Sequence, residues 1–285
     1  MNNTLSKNMA RDFVAYLTTK SQIALIGSIL GFGFIGANSA QAVTLGRAAD
    51  FAVLGGTTVT NTGLSIITGD LGVTPGTAVT GFLPGIVRDG TIRTGTDPIA
   101  AQAKLDVQAA YTALAGLTHT QNLTGADLGG RTLTSGVYFF SSSVGLTGNL
   151  ILNALGDSNA RFVFQIGSTL TTASNSSVSL LNGADARNVF FQVGSSATLG
   201  TGTQFKGNIL AHTSITVTTG SNIECGSALA LGGAVTLDSN RITTCGPQPI
   251  PEPLTIVGTL IGATAAFHMR KKLKPASKVE LNQLC

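Results

Sequence analysis

Threonine side chains recur at a regular spacing in the C-terminal half of the chain. Three consecutive segments of about 19 residues, between 188 and 245, share a composition rich in Gly, Ser, Thr and β-branched residues. Aligned to within one residue, they place Thr198, Thr216 and Thr236 at equivalent points. Each Thr offers one hydroxyl and one methyl group. A regular array of such groups is suited to many weak contacts made together rather than to a covalent reaction.

A repeat of this length predicts the stacked coils of a β-solenoid, because one coil cannot bury its apolar side alone. Since side chains alternate along a strand, Ile215 and Val217 are predicted to point inward and Thr216 and Thr218 outward. Coils stack about 4.8 Å apart, and alternate residues on a strand lie about 6.7 Å apart. The expected surface is a flat grid of hydroxyl and methyl groups. Such a grid resembles a binding face for a periodic solid more than it resembles a pocket.

The sequence period changes at Asp97, which is followed by Pro98. Asp97 can cap a helix and Pro98 fits its first turn. Apolar residues then recur at helical spacing, at Ala103, Val107, Ala110, Leu114 and Leu117. We predict one long helix over about 97–117, packed along one side of the solenoid. Because it interrupts the strands, the strand-rich block 51–76 must stack on coils that are not adjacent in sequence.

Two of the three cysteines, Cys225 and Cys245, lie about one coil apart, and each is followed by Gly. Stacked coils would bring them to disulfide distance, and an oxidising compartment would preserve the bond. We predict a disulfide at the last coil, with two unreactive thiols as the alternative. A zinc site needs more ligands than two cysteines and the remote His212 supply. We therefore expect neither a metal nor a cofactor.

Composition argues against nucleic-acid binding and catalysis. The formal net charge of the 285-residue chain is +4, but residues 43–250 contain nine basic and ten acidic residues, a net charge of −1. That segment has no electrostatic footprint for phosphate. The chain has no Trp and three Tyr, too few for an aromatic stacking platform. No nucleophile is paired with a base, so we do not expect an enzyme. Asp70, Asp127, Asp157 and Asp185 are single acids, each within two residues of a Gly.

The N-terminal 42 residues have the pattern of a secretory signal peptide. Three basic residues lie within 1–20, an apolar run spans 23–37, and small residues flank Gln41. This pattern predicts cleavage by signal peptidase and a mature chain that begins at Val43. A buried N-terminal helix is the alternative interpretation.

The C-terminal segment, 247–285, combines a Pro-Glu-Pro motif, an apolar stretch of about 16 residues and a basic cluster. Its key residues are Pro251, Glu252, Pro253, Arg270, Lys271 and Lys272. The segment resembles the PEP-CTERM sorting signal of Gram-negative bacteria. That resemblance implies an exosortase as partner, cleavage near 251–253, and a secreted or cell-surface protein. The alternative is a permanent single-span anchor, and we expect membrane contact through the targeting segments alone.

Five strings between the two targeting segments resemble the ice-binding (antifreeze) protein family. They are GDLGVTPGTAVTGF (69–82), LTSGVYFF (133–140), RFVFQIGSTLTT (161–172), NVFFQVGSSATLGTGTQFKGNILA (188–211) and GAVTLDSN (233–240). The resemblance implies a domain over 43–246 that is mainly β. Its expected fold is a discontinuous right-handed β-solenoid of triangular cross-section, with one long α-helix packed alongside and a flat face that adsorbs to ice.

Part of that family carries a Thr-(Ala/Gly)-x-(Thr/Asn) motif on its ice-binding face. The string TGSN at 219–222 matches this motif, and TGTQ at 201–204 matches three of its four positions. The resemblance therefore adds further residues to the expected surface, namely Thr201, Thr203, Thr219 and Ser221. The function it implies is that of an extracellular protein that binds ice and inhibits its growth and recrystallisation. A cell-surface or biofilm-matrix structural or adhesion protein without ice activity is the alternative.

Overall fold

The computed structural model describes residues 43–246. These residues form one α-helix, two 3₁₀ helices at Gly46–Asp50 and Ala186–Asn188, and 22 strands. The helix is α1 (Pro98–Ala115). The strands are β1 (Phe51–Gly55), β2 (Thr58–Thr62), β3 (Ile66–Thr68), β4 (Asp70–Val73), β5 (Ala78–Thr80), β6 (Ile86–Arg88), β7 (Ile92–Thr94), β8 (Gln121–Asn122), β9 (Thr132–Leu133), β10 (Gly136–Phe140), β11 (Val144–Leu146), β12 (Asn149–Asn153), β13 (Phe162–Ile166), β14 (Leu170–Thr172), β15 (Ser177–Leu181), β16 (Val189–Val193), β17 (Ala197–Leu199), β18 (Gln204–Ala211), β19 (Ile215–Val217), β20 (Asn222–Ala230), β21 (Val235–Asp238) and β22 (Arg241–Thr243).

The strands wind into stacked coils whose neighbours pair in parallel. From β10 onward, each coil of the C-terminal part contributes one strand segment to each of three walls. The N-terminal coils, β1–β3 and β4–β6, stack on each other but not on the coil that follows α1 in sequence. Instead β1, β2 and β3 pair with β20, β21 and β22 of the last C-terminal coil. This confirms the predicted non-adjacent stacking of block 51–76 and makes the β-solenoid discontinuous.

We name one of the three walls by the helix that covers it and the other two by the side chains that they present to solvent. The helix face consists of β8, β10, β13, β16, β1, β4 and β7 with the second halves of β18 and β20. The Thr face consists of β11, β14, β17, β19, β21, β2 and β5. The polar face consists of β9, β12, β15, β22, β3 and β6 with the first halves of β18 and β20. Because β18 and β20 bend around a corner, two walls share one continuous sheet.

Inward-pointing apolar residues from all three walls fill the interior. On the helix face, Phe164 and Phe191 stack at a ring-centroid distance of 4.4 Å, and Tyr138 stacks on Phe164 at 5.5 Å. Ile215 and Val217 of the Thr face are fully buried, as alternation predicted. Repetition of the inward positions from coil to coil thus builds one continuous core.

Helix α1 lies along the helix face and begins as predicted. The Asp97 carboxylate accepts hydrogen bonds from the backbone N–H groups of Ile99 and Ala100, and Pro98 occupies the first turn. The helix ends at Ala115 rather than at 117. Its terminal carbonyls are met by Gln165, whose amide donates to the carbonyl oxygens of Leu114 and Leu117 at 2.7 and 2.8 Å. The buried stripe comprises Ala100, Ala103, Val107, Ala110 and Leu114.

Cys225 and Cys245 form the predicted disulfide. The bond joins β20, at its bend between the polar and helix faces, to the segment that follows β22. Cys285 and both predicted targeting segments, 1–42 and 247–285, lie outside the described residues. The sorting-signal residues from Pro251 to Lys272 therefore remain a prediction.

Candidate functional site

A continuous column of threonines runs along the middle of the Thr face. Register pairs join each Thr directly to the Thr of the next coil. The column crosses the point where the last C-terminal coil meets the first N-terminal coil without a break. Its members, in spatial order, are Thr171, Thr198, Thr216, Thr236, Thr60 and Thr80. Parallel strands hold successive members about 4.8 Å apart.

The hydroxyl groups of this column are largely free for contacts outside the protein. Within the described part of the chain, those of Thr171, Thr198, Thr216 and Thr80 form no hydrogen bond to another protein group. Thr60 donates to the hydroxyl of Thr236 at a long 3.5 Å. The β-branched side chain is stiff about its first torsion. The column therefore presents fixed hydroxyl and methyl groups rather than mobile ones.

A second set of short hydroxyl side chains lies beside the central column, at the corner with the helix face. The Thr169 hydroxyl donates to that of Ser143 at 2.8 Å. Ser196 accepts from the backbone N–H of Ser214 at 3.3 Å, and Ser214 accepts from that of Ala234 at 3.3 Å. These bonds tie each side chain to the neighbouring coil, so this flank is rigid as well.

The opposite flank borders the polar face and carries a charge. Thr218 donates to the carbonyl oxygen of Leu199 at 2.6 Å. One coil further on, the carboxylate of Asp238 accepts from the hydroxyl of Thr219 at 2.5 Å and from that of Ser239 at 3.1 Å. Asp238 is paired with Thr62 across the ladder. The charge therefore stands at the rim of the Thr face and not in its central column.

The central column ends at Gly145, which pairs with Thr171. A Cβ atom on Gly145 would lie 2.5 Å from a carboxylate oxygen of Asp127, so no Thr fits there. Asp127 accepts from the backbone N–H groups of Gly129 and Thr147 at 2.6 and 2.9 Å, and from the Thr147 hydroxyl at 3.1 Å. Partial burial alone would raise the pKa of Asp127, but these hydrogen bonds lower it below its ordinary value. A charged carboxylate thus caps this end of the face.

The polar face has the same backbone but different side chains. Lys206 and Glu224 form an ion pair at 2.5 Å across neighbouring strands. Asn222 donates to the side-chain oxygen of Gln204 at 3.3 Å, and Arg241 is exposed. The helix face is covered by α1. Among the described walls, the Thr face alone is both uncovered and free of charge along its middle.

A cluster of Asp185, Cys225 and Cys245 brings potential metal-ligand atoms within 4.8 Å of one another. Both sulfur atoms belong to the disulfide, and a metal ligand must be a thiolate. The cluster therefore does not form a metal site in the oxidised protein. Asp185 instead holds Arg187 in an ion pair of 2.9 Å.

Comparison with known proteins now places this geometry in a family. A family model described as Ice-binding-like matches residues 53–243. The chain belongs to the ice-binding family. An ice-binding protein from Nostoc sp. (strain HG1) is 56% identical over 266 residues, covering 89% of this chain and 98% of its own length. Curated relatives from bacteria and fungi share the family, among them an ice-binding protein from Flavobacterium frigoris (strain PS1) that is 34% identical over 213 residues.

Solved structures of ice-binding proteins share the fold. One, from an Antarctic biological consortium, has 47% sequence identity and a TM-score of 0.68, and covers 71% of this chain and 90% of its own. Another, from the Antarctic ascomycete Antarctomyces psychrotrophicus, has 43% identity and a TM-score of 0.69, and covers 72% of this chain and 98% of its own. Over the described residues, the fold of this ice-binding chain is therefore a β-solenoid with one long helix alongside.

The threonines predicted from alternation lie on the Thr face. Thr198, Thr216 and Thr236 stand in its central column, and Thr218 is on the flank. The one-residue uncertainty of the sequence alignment is resolved by direct pairing of Thr198 with Thr216 and of Thr216 with Thr236. Their selection as ice contacts remains a proposal for this member of the ice-binding family.

The motif residues lie elsewhere. Thr201 and Thr219 stand at the corner between the Thr face and the polar face, whereas Thr203 and Ser221 are fully buried. Both buried hydroxyls donate to the carbonyl oxygen of Gly200, at 2.6 and 2.5 Å. Thr203 and Ser221 therefore cannot contact a surface, which corrects their place in the predicted set.

The physical reason is the corner itself. Gly202 and Gly220 have positive φ values of 72° and 68°, a left-handed turn that breaks the strand alternation. The residue after each turn consequently points into the core. Left-handed residues recur at this corner in neighbouring coils, at Asn175, Ser239 and Gly63. In this ice-binding chain the motif thus builds the corner ladder that sets the edge of the Thr face.

Sequence reasoning missed half of the central column, namely Thr171, Thr60 and Thr80. Signals for all three are present in the sequence. Thr171 follows the QIGS string at 165–168 at the same distance as Thr198 follows QVGS at 192–195. The strings LGGTTVT at 54–60 and LGGAVT at 231–236 end on paired threonines, and TTVT at 57–60 is repeated as TAVT at 77–80.

Proposed function

We propose that this protein binds ice through its Thr face and thereby inhibits ice growth and recrystallisation. One observation carries the proposal: six threonines on directly paired strands form an unbroken column on a wall that neither α1 nor a central charge obstructs. Membership of the ice-binding family supports it independently. The proposed contacts are Thr171, Thr198, Thr216, Thr236, Thr60 and Thr80, with Thr218, Thr201 and Thr219 at the margin.

The physical mechanism follows from the lack of a pocket. A crystal surface offers no cavity in which binding energy can be concentrated, so adsorption must sum many weak contacts made at once. A face that is already rigid loses little conformational entropy on binding. The Thr hydroxyl can hold a water molecule of the surface layer, and its methyl group leaves that layer room to order. Long or charged side chains would disturb both effects.

Replacement of Thr216 by Tyr tests this assignment, with Ser179→Tyr as the matched control. Thr216 is at the centre of the Thr face, and Ser179 points outward from β15 on the polar face. In the purified full-length chain, we expect Thr216→Tyr to abolish inhibition of ice recrystallisation while the circular dichroism spectrum and Tm stay close to those of the parent. Ser179→Tyr should keep the activity.

The contrary outcomes are distinct. Full activity of a folded Thr216→Tyr variant would mean that another face binds ice. A folded parent protein without any ice activity would instead favour a structural or adhesive role at the cell surface or in a biofilm matrix.

We further infer that the chain is exported and processed at both ends by signal peptidase and by an exosortase, as in a Gram-negative bacterium. Support comes from the charge and apolar patterns of 1–42 and 247–285, and from a disulfide that an oxidising compartment would preserve. Within residues 43–246, no helix has the length and apolarity to cross a membrane. Mass spectrometry of the protein recovered from culture tests this: we expect a first residue of Val43 and a last residue near 251–253. Intact termini would contradict it.

A further inference from the structure

The junction between the C-terminal and N-terminal coils has an irregular corner. Each coil turns from the helix face to the Thr face, and the number of residues in this turn can be counted between paired positions. In β10–β11, β13–β14, β16–β17 and β18–β19 three residues make the turn. In β20–β21, residues 231–234 make it, one more than the paired coil before it. The number of residues in the turn therefore changes next to the point where the Thr column crosses from the C-terminal to the N-terminal coils.

The same mismatch continues into the N-terminal coils. Residues 230–234 lie between Leu229 and Val235. Their partners in the first N-terminal coil, Leu54 and Val59, are separated by 55–58, which is one residue fewer. In the next coil, Val73 and Val79 pair with Gly55 and Val59. Residues 74–78 lie between Val73 and Val79, which is two residues more than 56–58. Elsewhere the corner carbonyls accept from the following coil, as when Ile166 accepts from the N–H of Gly194 at 2.7 Å.

At the junction this pattern is displaced. The N–H groups of Gly56 and Thr57 both donate to the carbonyl oxygen of Gly233, at 2.8 and 3.1 Å. Neither of them donates to the carbonyl oxygen of Leu231. Lys104 of helix α1 is directed at this place. Its amine donates to the carbonyl oxygen of Leu231 and, at 3.5 Å, to that of Thr74.

Lys104 therefore bridges the coil that carries Thr236 and the coil that carries Thr80. Its side chain is half-buried, and burial lowers the pKa of the amine because desolvation disfavours the charged form. This is not the position of a solvated surface lysine. An ammonium group has three donors and no acceptor, which suits a position next to two backbone carbonyl oxygens.

Helix α1 can transmit this hold because it is fixed to both halves of the solenoid. At the middle of the helix, the carboxylate of Asp106 accepts from the N–H of Arg47, just before β1. Near its C-terminal end, the Tyr111 hydroxyl donates to the carbonyl of Val193 at 3.3 Å, and Gln165 binds the last carbonyls. The helix thus connects the N-terminal and C-terminal coils, and Lys104 contacts the irregular junction between them.

We propose that Lys104 is a positioning residue for the Thr face: it holds the N-terminal coils in line with the last C-terminal coil and so keeps Thr60 and Thr80 aligned with Thr236. The proposal rests on the ice-binding function proposed above. It assigns to the helix a role in shaping a surface that the helix does not touch.

A double-mutant cycle in the full-length chain tests it, with Lys104→Met to remove the amine at nearly equal length. In the parent, Thr80→Tyr should lower ice-recrystallisation inhibition at least about threefold, and in the Lys104→Met background by less than about 1.5-fold, because the coil is already misaligned. Thr171→Tyr, at the far end of the column, is the control and should cost the same in both backgrounds. Lys104→Arg keeps a cationic donor and should restore most of the coupling.

Each result has one reading. Equal losses from Thr80→Tyr in the two backgrounds would overturn the role of Lys104. Equal weakening of the Thr80→Tyr and Thr171→Tyr effects in Lys104→Met would also overturn it, since that indicates general destabilisation. If Lys104→Met does not fold by circular dichroism, the same cycle with Lys104→Gln decides by the same criterion. Absence of any effect of Thr216→Tyr would refute the Thr face itself, which separates the two failures.

Discussion

The Thr face and the polar face are built by the same coils but present different chemistry to the solvent. Both are parallel sheets built from stacked strands, and neither is covered by α1 within the described residues. The polar face carries Lys206, Glu224 and Arg241, side chains that are long and charged. The Thr face carries short, stiff side chains in its middle column. The backbone therefore sets the grid, and the choice of outward residue decides which wall can adsorb to a solid.

The two faces also differ in how far the pattern extends. On the polar face, outward residues change type from coil to coil: Ser177 pairs with Gln204, Gln204 with Asn222 and Asn222 with Arg241. On the Thr face, the same residue type recurs in six coils and is interrupted by Gly145 where Asp127 closes the end. Adsorption to a periodic surface requires recurrence, whereas the stability of a sheet does not.

The largest effect is expected from a charge placed in the middle of the Thr face. Thr236→Lys should lower ice-recrystallisation inhibition at least about tenfold, because an ammonium group without a partner would have to lose water on adsorption. Thr243→Lys is the matched control, since Thr243 lies in the same coil but points outward from the polar face. Equal activity of the two variants in a recrystallisation assay would erase the distinction between the faces.

The next prediction is a change in the free energy of unfolding that leaves ice activity unchanged. Cys245→Ser removes the disulfide at the edge shared by the polar and helix faces, away from the Thr face. Closure of a loop of this size contributes about 3 kcal/mol, so the free energy of unfolding in guanidinium should fall by about that amount. Ice activity measured near 0 °C on folded protein should be unchanged. Cys285→Ser serves as the control, and loss of activity in folded Cys245→Ser would link the disulfide to the Thr face.

Parts of this architecture could be predicted from the sequence because they depend on local periodicity. The helix start at Asp97, the disulfide and three central threonines follow from capping, from coil spacing and from strand alternation. For the disulfide and the threonines, the neighbouring coils are consecutive in sequence and similar in length. The repeat then fixes both the register and the side of the sheet on which a residue lies.

The remaining parts depend on long-range stacking and on corners. Thr60 joins the column because β2 pairs with β21, which is distant in sequence, and Thr80 follows by pairing with Thr60; matching strings mark these threonines, but no local period fixes the distant pairing. The motif predicts Thr203 and Ser221 at the surface, but the left-handed turns before them direct both side chains inward. Alternation applies within a strand and fails across a corner. A motif that spans a corner therefore contains both outward and inward residues.

A smaller effect is expected at the end of the Thr face, in acid. The folded-state pKa of Asp127 is lowered, so its contribution to stability is present above the ordinary pKa of about 3.9 and is lost as the pH falls through the folded value. Because Asp127 is exposed, we expect this contribution to be below about 1 kcal/mol. Denaturation at pH 6 and pH 3 should show less acid destabilisation in Asp127→Asn than in the parent. Asp89→Asn, at the other end of the solenoid, is the control, and an identical pH dependence of Asp127→Asn and the parent would contradict the assignment.

The smallest effect should follow from removing charge from the polar face. Glu224 is 71% exposed, and an ion pair of this kind contributes about 0.5 kcal/mol or less, so replacing both Lys206 and Glu224 by Thr should hardly change the free energy of unfolding. The double variant adds two outward hydroxyl groups to the polar face. In a Thr216→Tyr background it should still not restore ice activity, because Gln204 and Arg241 keep the neighbouring positions irregular. Restored activity in a recrystallisation assay would show that the number of hydroxyl groups matters, and not their alignment in one column.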